Sequence, residues 1–428
     1  MSNSDTELST VPRYHAVGIG AGPANLSLAA LFESATSESI ALFDGQDGTA
    51  WHNQLIHSGV RMQTSWLKDL VTMIDPRHEL TFINYMVTTG RMIALMNSQF
   101  DVIPRLEYIR YLEWAAAKLK NVHYGVYIDR ISLNGDGFVV YSDGRPMARS
   151  EHLVLGMGTA PFIPAGFAGL PPDRAFIAEE LADRLPSMVT DLDAPVGVVG
   201  AGQTGLEAAW ELMNRGFTDI KWFGRRLWFD TFDDAPGAND VYRPAHFEAL
   251  QRLSPPTRAR IVKELMPTGH AMTPASLKGI YQANYERMLQ LGHFPIRMYP
   301  SRHVISAYFD DDQCVLDCQG LEQQEQYKVR HVVIAAGRAN PPVPFDDELR
   351  QRVEVDADGE LMVEPDFSVR WKGMNGHGMY ALNRARAALG LTDTNLSLLP
   401  VRAAIVLNSM FGRQLFDIKD ELCPVNWG

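Results

Sequence analysis

The sequence predicts an α/β protein with two Rossmann-like dinucleotide-binding domains and a small, mainly helical region. A glycine-rich turn between an apolar strand and a helix occurs twice, near Gly20 and near Gly200, about 180 residues apart. The length of 428 residues also exceeds the ~250 residues at which single cores stop growing. Repeated strand, turn and helix units of this kind are typical of parallel sheets covered by helices.

The first glycine-rich turn lies in YHAVGIGAGPANLSLAALFE, residues 14–33. Its glycines are Gly18, Gly20 and Gly22. They allow a tight turn and let the backbone approach a pyrophosphate, which would bind at the helix N-terminus. Asn25 stands where a third glycine usually packs helix against strand. The next apolar strand ends at Asp44, where an acidic side chain would meet a ribose hydroxyl, so the segment predicts a dinucleotide site.

The second glycine-rich turn lies in APVGVVGAGQTGLEAAWELMNRG, residues 194–216, and repeats the pattern more regularly. Its candidate cofactor-binding residues are Gly200, Gly202, Gln203, Thr204 and Gly205. The following strand ends in Arg225 and Arg226 instead of an acid. Guanidinium groups bind phosphate with two parallel hydrogen bonds, so the pair favours NADPH with its 2′-phosphate. Two solvated surface arginines are the alternative interpretation.

Two dinucleotide sites on one chain predict a flavoprotein in which NADPH donates a hydride and FAD accepts it. The segments HLVLGMGTAPFIP, residues 152–164, and HVVIAAGRANPPVP, residues 331–344, have the character of crossings between the two domains. We expect an FAD-binding domain from residues 1–160 and 336–428, an NADPH-binding domain from residues 161–235 and 296–335, and a helical substrate-binding region from residues 236–295.

The composition excludes several classes of protein. A net charge of −12 argues against a nucleic-acid partner, since such proteins use Lys and Arg to displace counterions from phosphates. We find no apolar stretch long enough to span a bilayer, and MSNSDTELSTVPR does not resemble a secretion signal. We therefore expect a cytoplasmic protein without a membrane partner.

Cysteine usage narrows the flavoprotein class. Cys314, Cys318 and Cys423 form no C-x-x-C pair. Flavin disulfide reductases need a redox-active pair, so these three are expected to be reduced thiols with structural roles. The sequence predicts no metal site.

The segment WHNQLIHSGVRMQTSWLKDLVTMIDPRHELTFINYM, residues 51–86, closely resembles the N-hydroxylating flavin monooxygenases of siderophore biosynthesis, the lysine, ornithine and diamine N-hydroxylases. The family pattern is W-H, then M-Q, K-D-L, D-P and F-x-N-Y-L. The resemblance continues through IPRLEYIRYLEWAA, DDAPGANDVYRP and LGLTDTNLSLLPVRAAIV. It implies FAD and NADPH as cofactors, a small amine and dioxygen as substrates, and a homo-oligomer, either a dimer or a tetramer.

The resemblance also implies roles for single residues. Gln63 corresponds to a glutamine beside the flavin and Ser397 to a serine near the flavin and the substrate amine, so both are candidate catalytic residues. Lys68 and Asn239 correspond to substrate-binding residues. Candidate FAD contacts in the same segment are Trp51, His52 and Gln63. Structural alternatives are a solvated lysine for Lys68, a turn cap for Asn239, and a hydroxyl bonded to its own helix for Ser397.

Departures from the family pattern narrow the substrate. Ornithine enzymes carry Asn-Tyr-Ser ahead of a helix containing Ile-Tyr, whereas this chain has TGHAMTPASLKGIYQ, which disfavours ornithine. Leu389 and Gly390 replace a family His-Gly, so any role of that histidine is absent or moved. The F-x-G-x-x-x-H signature of ketone-oxidising relatives is missing, which disfavours Baeyer-Villiger chemistry.

The implied reaction is N-hydroxylation of a terminal primary amine, the first step of hydroxamate siderophore synthesis. Cadaverine, putrescine and L-lysine are the candidate substrates. An alkylammonium with a pKa near ~10.4 must lose its proton near pH ~7.5, which costs about 4 kcal/mol. Desolvation beside an uncharged flavin could supply much of this, so we expect no strong side-chain base. Alternatives are a flavin NADPH oxidoreductase, a sulfur-oxidising monooxygenase, or a non-enzymatic NADP-sensing module.

Overall fold

The computed structural model describes residues 8–49, 51–52, 60–135, 137–269, 271–373, 376–419 and 422–427. The fold confirms the predicted α/β class, because helices flank a mixed sheet with parallel central strands and a second sheet that is parallel throughout. The strands are β1 (Arg13–Ile19), β2 (Ile40–Phe43), β3 (Val122–His123), β4 (Arg130–Asn134), β5 (Gly137–Ser142), β6 (Arg145–Leu155), β7 (Ala160–Pro161), β8 (Ala175–Ile177), β9 (Val196–Val199), β10 (Ile220–Phe223), β11 (Ile296–Tyr299), β12 (His303–Asp310), β13 (Gln313–Gln319), β14 (Gln324–Val329), β15 (His331–Ile334), β16 (Arg338–Ala339) and β17 (Met379–Ala381).

Helices connect and cover these strands. The α-helices are α1 (Pro23–Ala35), α2 (Phe82–Thr88), α3 (Met92–Asn97), α4 (Arg105–Ala116), α5 (Leu181–Met188), α6 (Gln203–Asn214), α7 (Pro236–Asn239), α8 (Pro244–Gln251), α9 (Pro255–Leu265), α10 (Pro274–Leu291), α11 (Asp347–Arg352), α12 (Arg386–Leu389) and α13 (Leu399–Met410). Short 3-10 helices cover Ala165–Phe167, Ala178–Glu180, Asp240–Tyr242, Met266–Thr268, Gly390–Thr394 and Leu396–Leu398. Within the described ranges, no helix has the length and apolar character needed to cross a bilayer.

The first sheet has the strand order β3-β2-β1-β6-β5-β4, and β17 also pairs with β6. The first glycine-rich strand, β1, lies between β2 and β6 and runs parallel to both, with Ala16 opposite Ile40 and His152. Helix α13 packs against α1 on this sheet. The carboxyl end of β1 therefore lies at the centre of a parallel edge, where α/β proteins bind nucleotides.

The second sheet has the order β11-β10-β9-β15-β8, and all of its strand pairs are parallel. Helix α6 follows β9 directly, and Trp222 of β10 is fully buried beneath it. The connection from β10 to β11 contains α7 to α10, and Ile280 of α10 belongs to the same core as Trp222. The predicted helical region is thus inserted between two neighbouring strands of the second sheet.

A third, antiparallel sheet of β12, β13 and β14 packs beside β15. Cys314 and Cys318 lie on β13 and are fully buried in its core. Burial raises the pKa of Cys314 to about 11 and that of Cys318 to about 12. These thiols stay protonated near neutral pH, which suits a structural role.

The two chain crossings between the parallel sheets run side by side. Strands β7 and β16 pair antiparallel, with Pro161 opposite Arg338 and Ala160 opposite Ala339. They fall inside the two segments in which the sequence predicts crossings. The exact domain limits given above stay a prediction.

The first glycine-rich turn depends on a close approach between two loops. Gly20 has a φ of 91°, and a Cβ there would lie 2.5 Å from the carbonyl oxygen of Gly156. Asn25 is fully buried, and its Nδ2 donates to the carbonyl oxygens of Ile19 at 3.1 Å and Gly20 at 2.8 Å. The asparagine therefore replaces the third glycine of the motif by fastening helix to strand with hydrogen bonds.

The Gly156→Ala variant should lower the free energy of unfolding by about 2 kcal/mol, within the range for overpacked cores. A Cβ at Gly156 would lie 2.4 Å from Nδ2 of Asn25, which its two hydrogen bonds hold in place. Urea unfolding of both variants measures the effect, with Gly169→Ala as control because no atom lies within 4 Å of the Cβ position there. Equal stability of the two variants would contradict this account of the turn.

Candidate active site

A cavity of about 1160 Å³ lies between the first and the second sheet. Its walls come from two halves of the molecule, of which the first half is built on the first sheet and the second half on the second sheet. It brings together most of the residues that the sequence analysis singles out. Those that line it are Gly20, Gly22, Asp44, Trp51, His52, Gln63, Lys68, Gln203, Thr204, Asn239 and Ser397. The others, Gly18, Asn25, Gly200, Gly202, Gly205, Arg225 and Arg226, do not line it.

The first turn is shaped to receive a phosphate. Gly22 precedes α1, and no atom lies within 4 Å of the place a Cβ would occupy, so the backbone there is open to the cavity. Asp44 stabilises the turn, because its Oδ2 accepts from the backbone amide of Ala21 at 2.7 Å. Open amides at the start of a 13-residue helix favour a bound anion. These residues fit the pyrophosphate of a dinucleotide such as FAD.

The second turn has the same features. Gly200 has a φ of 133°, and a Cβ at Gly205 would lie only 1.9 Å from the carbonyl oxygen of Gly200, so both positions need glycine. Gly202 precedes α6 and has open space around it. Arg225 and Arg226 follow β10 and are exposed. The turn fits a second dinucleotide, and the two arginines follow the strand next to it in the sheet.

Trp51 and His52 line the cavity next to the first turn, while residues 53–59 of the resembling segment lie outside the described residues. The ring of His52 stands edge-on to Trp51, with centroids 4.8 Å apart. The ring is accessible from the cavity, yet the surrounding protein, together with Arg105 and Arg338, lowers the pKa of His52 to about 4. His52 is therefore neutral near pH 7 and brings hydrogen-bonding capacity without charge.

An ion pair across the cavity was not predicted from the sequence. Nη2 of Arg105 lies 2.6 Å from Oε1 of Glu207, and Nη1 lies 3.0 Å from Oε2, so the two planar groups are joined by two hydrogen bonds. Glu207 is buried and the Arg105 side chain is 13% exposed, and the pair joins α4 of the first half to α6 of the second. Nε2 of Gln203 also donates to Oε1 of Glu207 at 3.0 Å.

A second ion pair lies at the chain crossings. Arg338 of β16 pairs with Glu179 and donates through Nε to Oγ1 of Thr159 at 2.9 Å. Arg338, Glu179 and Thr159 all line the cavity. The seam between the two halves is thus held by charged contacts at two places along the cavity wall.

The candidate substrate-binding residues differ in their surroundings. Lys68 is partly buried, and burial lowers the pKa of its ammonium, which has no ion-pair or hydrogen-bond partner among the described residues. Asn239 lines the cavity, but its Nδ2 donates to the carbonyl oxygens of Asp234 and Ala235, both at 3.3 Å. Lys68 is therefore available to a ligand, while Asn239 also caps a turn of its own segment.

The candidate catalytic residues Gln63 and Ser397 both line the cavity. Gln63 is exposed to the cavity. Ser397 is 2% exposed, and within the described chain its hydroxyl has no hydrogen bond to its own helix or to another residue. Its backbone amide donates to Oδ1 of Asn395 at 2.7 Å. The serine hydroxyl is thus left for a ligand in the cavity.

The part of the cavity wall between residues 383 and 402, which we call the C-terminal wall, contains a buried ion pair that the sequence did not predict. Nη1 of Arg402 lies 3.6 Å from Oδ1 of Asp393 and donates to Oδ1 of Asn383 at 2.8 Å. Leu389, which replaces the family histidine, is fully buried in the first core. This position therefore supplies packing and no titratable group.

One group of possible metal ligands occurs among the described residues, formed by His15, Glu151 and His152 outside the cavity lining. Glu151 is already paired with Arg13 at 3.0 Å. Nδ1 of His152 accepts from the amide of Gly378 at 2.9 Å. Glu151 and Nδ1 of His152 therefore already have partners within the protein, and we assign the cluster no metal.

Comparison with known proteins finds relatives that match along most of the chain. Residues 13–339 match the family model for L-lysine 6-monooxygenase and L-ornithine 5-monooxygenase. The chain is 27% identical to the L-lysine N6-monooxygenase of Escherichia coli over 421 residues, which cover 96% of this chain and 97% of the relative.

Solved structures share the fold. The FAD-bound cadaverine monooxygenase DfoA of the desferrioxamine pathway of Erwinia amylovora superposes with a TM-score of 0.87 at 21% identity, covering 97% of this chain and 98% of that one. The ornithine N-hydroxylase KtzI of Kutzneria sp. 744, in complex with reduced FAD, NADP+ and L-ornithine, gives a TM-score of 0.85 at 24% identity, with 94% and 99% covered.

The Glu207→Gln variant should lower the free energy of unfolding by about 3 kcal/mol, because it leaves the Arg105 cation buried without a charged partner. Urea unfolding measures the loss. Glu211→Gln, on the same helix, is the control, since the Arg215 side chain that pairs with Glu211 is 57% exposed and such pairs contribute less than about 1 kcal/mol. A similar loss of unfolding free energy in both variants would show that the Arg105–Glu207 pair stabilises the protein no more than an exposed ion pair does.

Proposed function

Because this chain belongs to the family of L-lysine 6-monooxygenases and L-ornithine 5-monooxygenases, we propose that it N-hydroxylates a terminal primary amine with dioxygen, using FAD and NADPH. The substrate is a diamine, cadaverine or putrescine, or L-lysine, and the product enters hydroxamate siderophore synthesis. The observation that carries the proposal is one cavity in which the first glycine-rich turn and the start of α6, with Gln203 and Thr204, meet Lys68 and Ser397.

The proposed reaction is balanced with one dioxygen. The amine, dioxygen, NADPH and a proton give the hydroxylamine, NADP+ and water. FAD, when bound, carries the reducing equivalents of NADPH to dioxygen. The first turn, with Gly20, Gly22 and Asp44, would hold FAD, and the second, with Gly202 and Thr204, would hold NADPH. The protein needs no nucleophile of its own.

The main task of the protein is to present a neutral amine. An alkylammonium has a pKa near ~10.4, so deprotonation near pH 7.5 costs about 4 kcal/mol. His52 and Ser397, which line the cavity, are uncharged at that pH, and burial lowers the pKa of the Lys68 ammonium in the same wall. Desolvation of the same kind disfavours a substrate ammonium. The surroundings therefore favour loss of the proton without a side-chain base.

Lys68 would bind the far end of the substrate. Its ammonium is partly buried and meets no carboxylate within the described part of the chain, so a substrate carboxylate would give it a direct partner. With a diamine, the second ammonium has to turn away from Lys68 or reach it through water. Asn239 and Gln63 supply neutral polar groups in the same cavity.

The seam contacts would keep water from the reacting centre. The ion pairs of Arg105 with Glu207 and of Arg338 with Glu179 hold the two halves together along the cavity wall. Exclusion of water prevents reduced oxygen from being released as hydrogen peroxide before it meets the amine. These residues would therefore act on the ratio of hydroxylamine to peroxide.

Two further properties belong to the proposal. We expect the enzyme to act in the cytoplasm, because NADPH is a cofactor of the cell interior. We also expect a dimer or tetramer of identical chains, as the family resemblance implies.

The purified protein with FAD, NADPH and dioxygen should convert one amine among cadaverine, putrescine, L-lysine and L-ornithine to its hydroxylamine, with little hydrogen peroxide. Hydroxylamine and peroxide are both measured against NADPH consumed, since their ratio reports coupling. L-ornithine should be the poorest substrate. Peroxide alone with all four amines would contradict the proposal and favour a flavin NADPH oxidoreductase or a sulfur-oxidising monooxygenase.

The Arg225→Ala and Arg226→Ala variants should lower the efficiency with NADPH by about tenfold or more, because each loses a charge-assisted bond to the 2′-phosphate. The efficiency with NADH should stay unchanged. Steady-state NADPH and NADH oxidation measure this preference, and Arg413→Ala, at an exposed arginine outside the cavity lining, is the control. A parallel loss with both cofactors would mean that the arginines act on stability and not on the phosphate.

A further inference from the structure

Most acidic side chains in the cavity wall already have partners within the protein. Among the described residues, those that line the cavity are Asp44, Glu179, Glu207 and Asp233. Glu207 and Glu179 belong to the two ion pairs of the seam. Asp44 accepts from two backbone amides, at 2.7 Å and 2.9 Å. Within this described wall, Asp233 alone has neither a cation nor a second hydrogen bond to its carboxylate.

The Asp233 carboxylate is held at one oxygen and open at the other. Its Oδ1 accepts from the backbone amide of Ala235 at 3.0 Å, while Oδ2 has no hydrogen-bond partner in the described part of the chain. The backbone amide of Asp233 donates to the carbonyl oxygen of Pro267 at 3.0 Å. The preceding amide, of Phe232, donates to the carbonyl oxygen of Met272 at 3.0 Å. The helical insertion therefore fixes the place of the carboxylate and leaves one oxygen for a ligand.

Asp233 lies close to Asn239, which the family resemblance predicts to bind the substrate. Nδ2 of Asn239 donates to the carbonyl oxygen of Ala235 at 3.3 Å, and the amide of the same Ala235 donates to Asp233. Both side chains line the cavity. A single residue thus connects the carboxylate with the predicted substrate-binding amide, and the two occupy the same part of the wall.

The basic side chains of the wall leave one ammonium for a ligand. Arg105, Arg338 and Arg402, which line the cavity, pair with acidic side chains. The guanidinium of Arg61, in the same wall, lies 4.8 Å from the centre of an aromatic ring. Lys68 has no partner of either kind among the described residues. The cavity therefore offers a ligand the Lys68 ammonium and one carboxylate oxygen of Asp233.

Every candidate substrate carries an ammonium at the end that does not react. In L-lysine this group stands beside the α-carboxylate, and in cadaverine and putrescine it is the second amine. Opposite charges attract and like charges repel, so this ammonium is drawn to Asp233 and driven from Lys68. Asp233 consequently has a partner in all three substrates, whereas Lys68 has one only in L-lysine.

A carboxylate also decides which amine of a diamine can react. A nearby negative charge favours the ammonium form of an amine and raises its pKa. The amine bound at Asp233 would keep its proton and would have no lone pair with which to attack oxygen. The other amine would reach the uncharged surroundings of Ser397 and His52, where its proton is lost more easily. The same contact would thus hold one end of the substrate and leave the other end free to react.

We infer that Asp233 is a specificity-determining residue that binds the ammonium at the non-reacting end of the substrate. This group is the α-ammonium of L-lysine or the second ammonium of a diamine. The inference rests on the proposed function and deepens it, because it assigns a partner to the charged group that Lys68 repels.

The Asp233→Asn variant removes the charge and keeps an oxygen that can accept from the Ala235 amide. Its KM for the amine that the unchanged protein hydroxylates should rise about tenfold or more, the effect expected for a hydrogen bond between charged groups. The rate of hydroxylamine formation at saturating amine should stay unchanged, since the contact is the same before and during the reaction. Flavin content, flavin reduction by NADPH without amine and the unfolding midpoint should also stay unchanged.

The control variant is Asp234→Asn. Asp234 is the next residue along the chain, is exposed and does not line the cavity. Its substitution changes the net charge of the same segment by the same amount and should leave the KM for the amine as it is. The comparison separates a direct contact of Asp233 from a general effect of charge near the cavity.

Substrate analogues test the same contact from the side of the ligand. Pentylamine is cadaverine without its second ammonium, and 6-aminohexanoate is L-lysine without its α-ammonium. Each analogue should have a higher KM than its parent with the unchanged protein. With Asp233→Asn the KM of the analogue should not rise further, because the group that Asp233 binds is already missing. Such non-additivity is expected when two changes act through one interaction.

Several results would overturn the inference. An unchanged KM in Asp233→Asn, with hydroxylamine formed normally by the unchanged protein, would refute the contact and leave the proposed function intact. An equal rise for the parent amines and their analogues would show that Asp233 shapes the cavity without binding the ammonium. A rise in the KM for NADPH alone would place Asp233 against the nucleotide. No hydroxylamine from the unchanged protein with any amine would refute the proposed function, and the role of Asp233 with it.

Discussion

The ion pair between Arg105 and Glu207 is the interaction on which the geometry of the cavity depends. Two buried charges are costly to desolvate, and the cost is offset only when both groups are fully hydrogen-bonded. Here the guanidinium and carboxylate face each other with two bonds, and Gln203 adds a third. Oε1 of Gln203 also accepts from the amide of Thr273 at the start of α10. One charged contact therefore links the first half, the second half and the helical insertion.

Local features of the chain were predictable and distant ones were not. The turns at Gly20 and Gly200 arise from neighbouring residues, so an apolar strand, spaced glycines and a helical pattern were enough to predict the α/β class and both turns. Arg105 and Glu207 are 102 positions apart, and no local spacing marks their contact. The family resemblance placed Lys68 and Ser397 in the cavity because it carries information on distant contacts that local patterns lack.

Polar side chains in and beside the cavity differ in how far they are engaged by the protein itself. Asn25, beside the first turn, replaces a glycine, and its Nδ2 donates to two backbone carbonyl oxygens. The Asn239 side chain caps a turn of its own segment and also lines the cavity. The Lys68 ammonium and the Ser397 hydroxyl have no hydrogen-bond partner among the described residues, which leaves them available to a ligand. Groups without internal partners are costly in an empty cleft, and a bound substrate would remove that cost.

The pairing of β7 with β16 has a consequence for how the chain could be rearranged. The second half enters and leaves the first through two neighbouring strands, whose backbones are about 5 Å apart in any sheet. It is therefore an insertion with adjacent ends, and a linker of a few residues could replace it without stretching the first sheet. Any rotation of the inserted half against the first would have to pass through this strand pair, because both covalent connections lie in it.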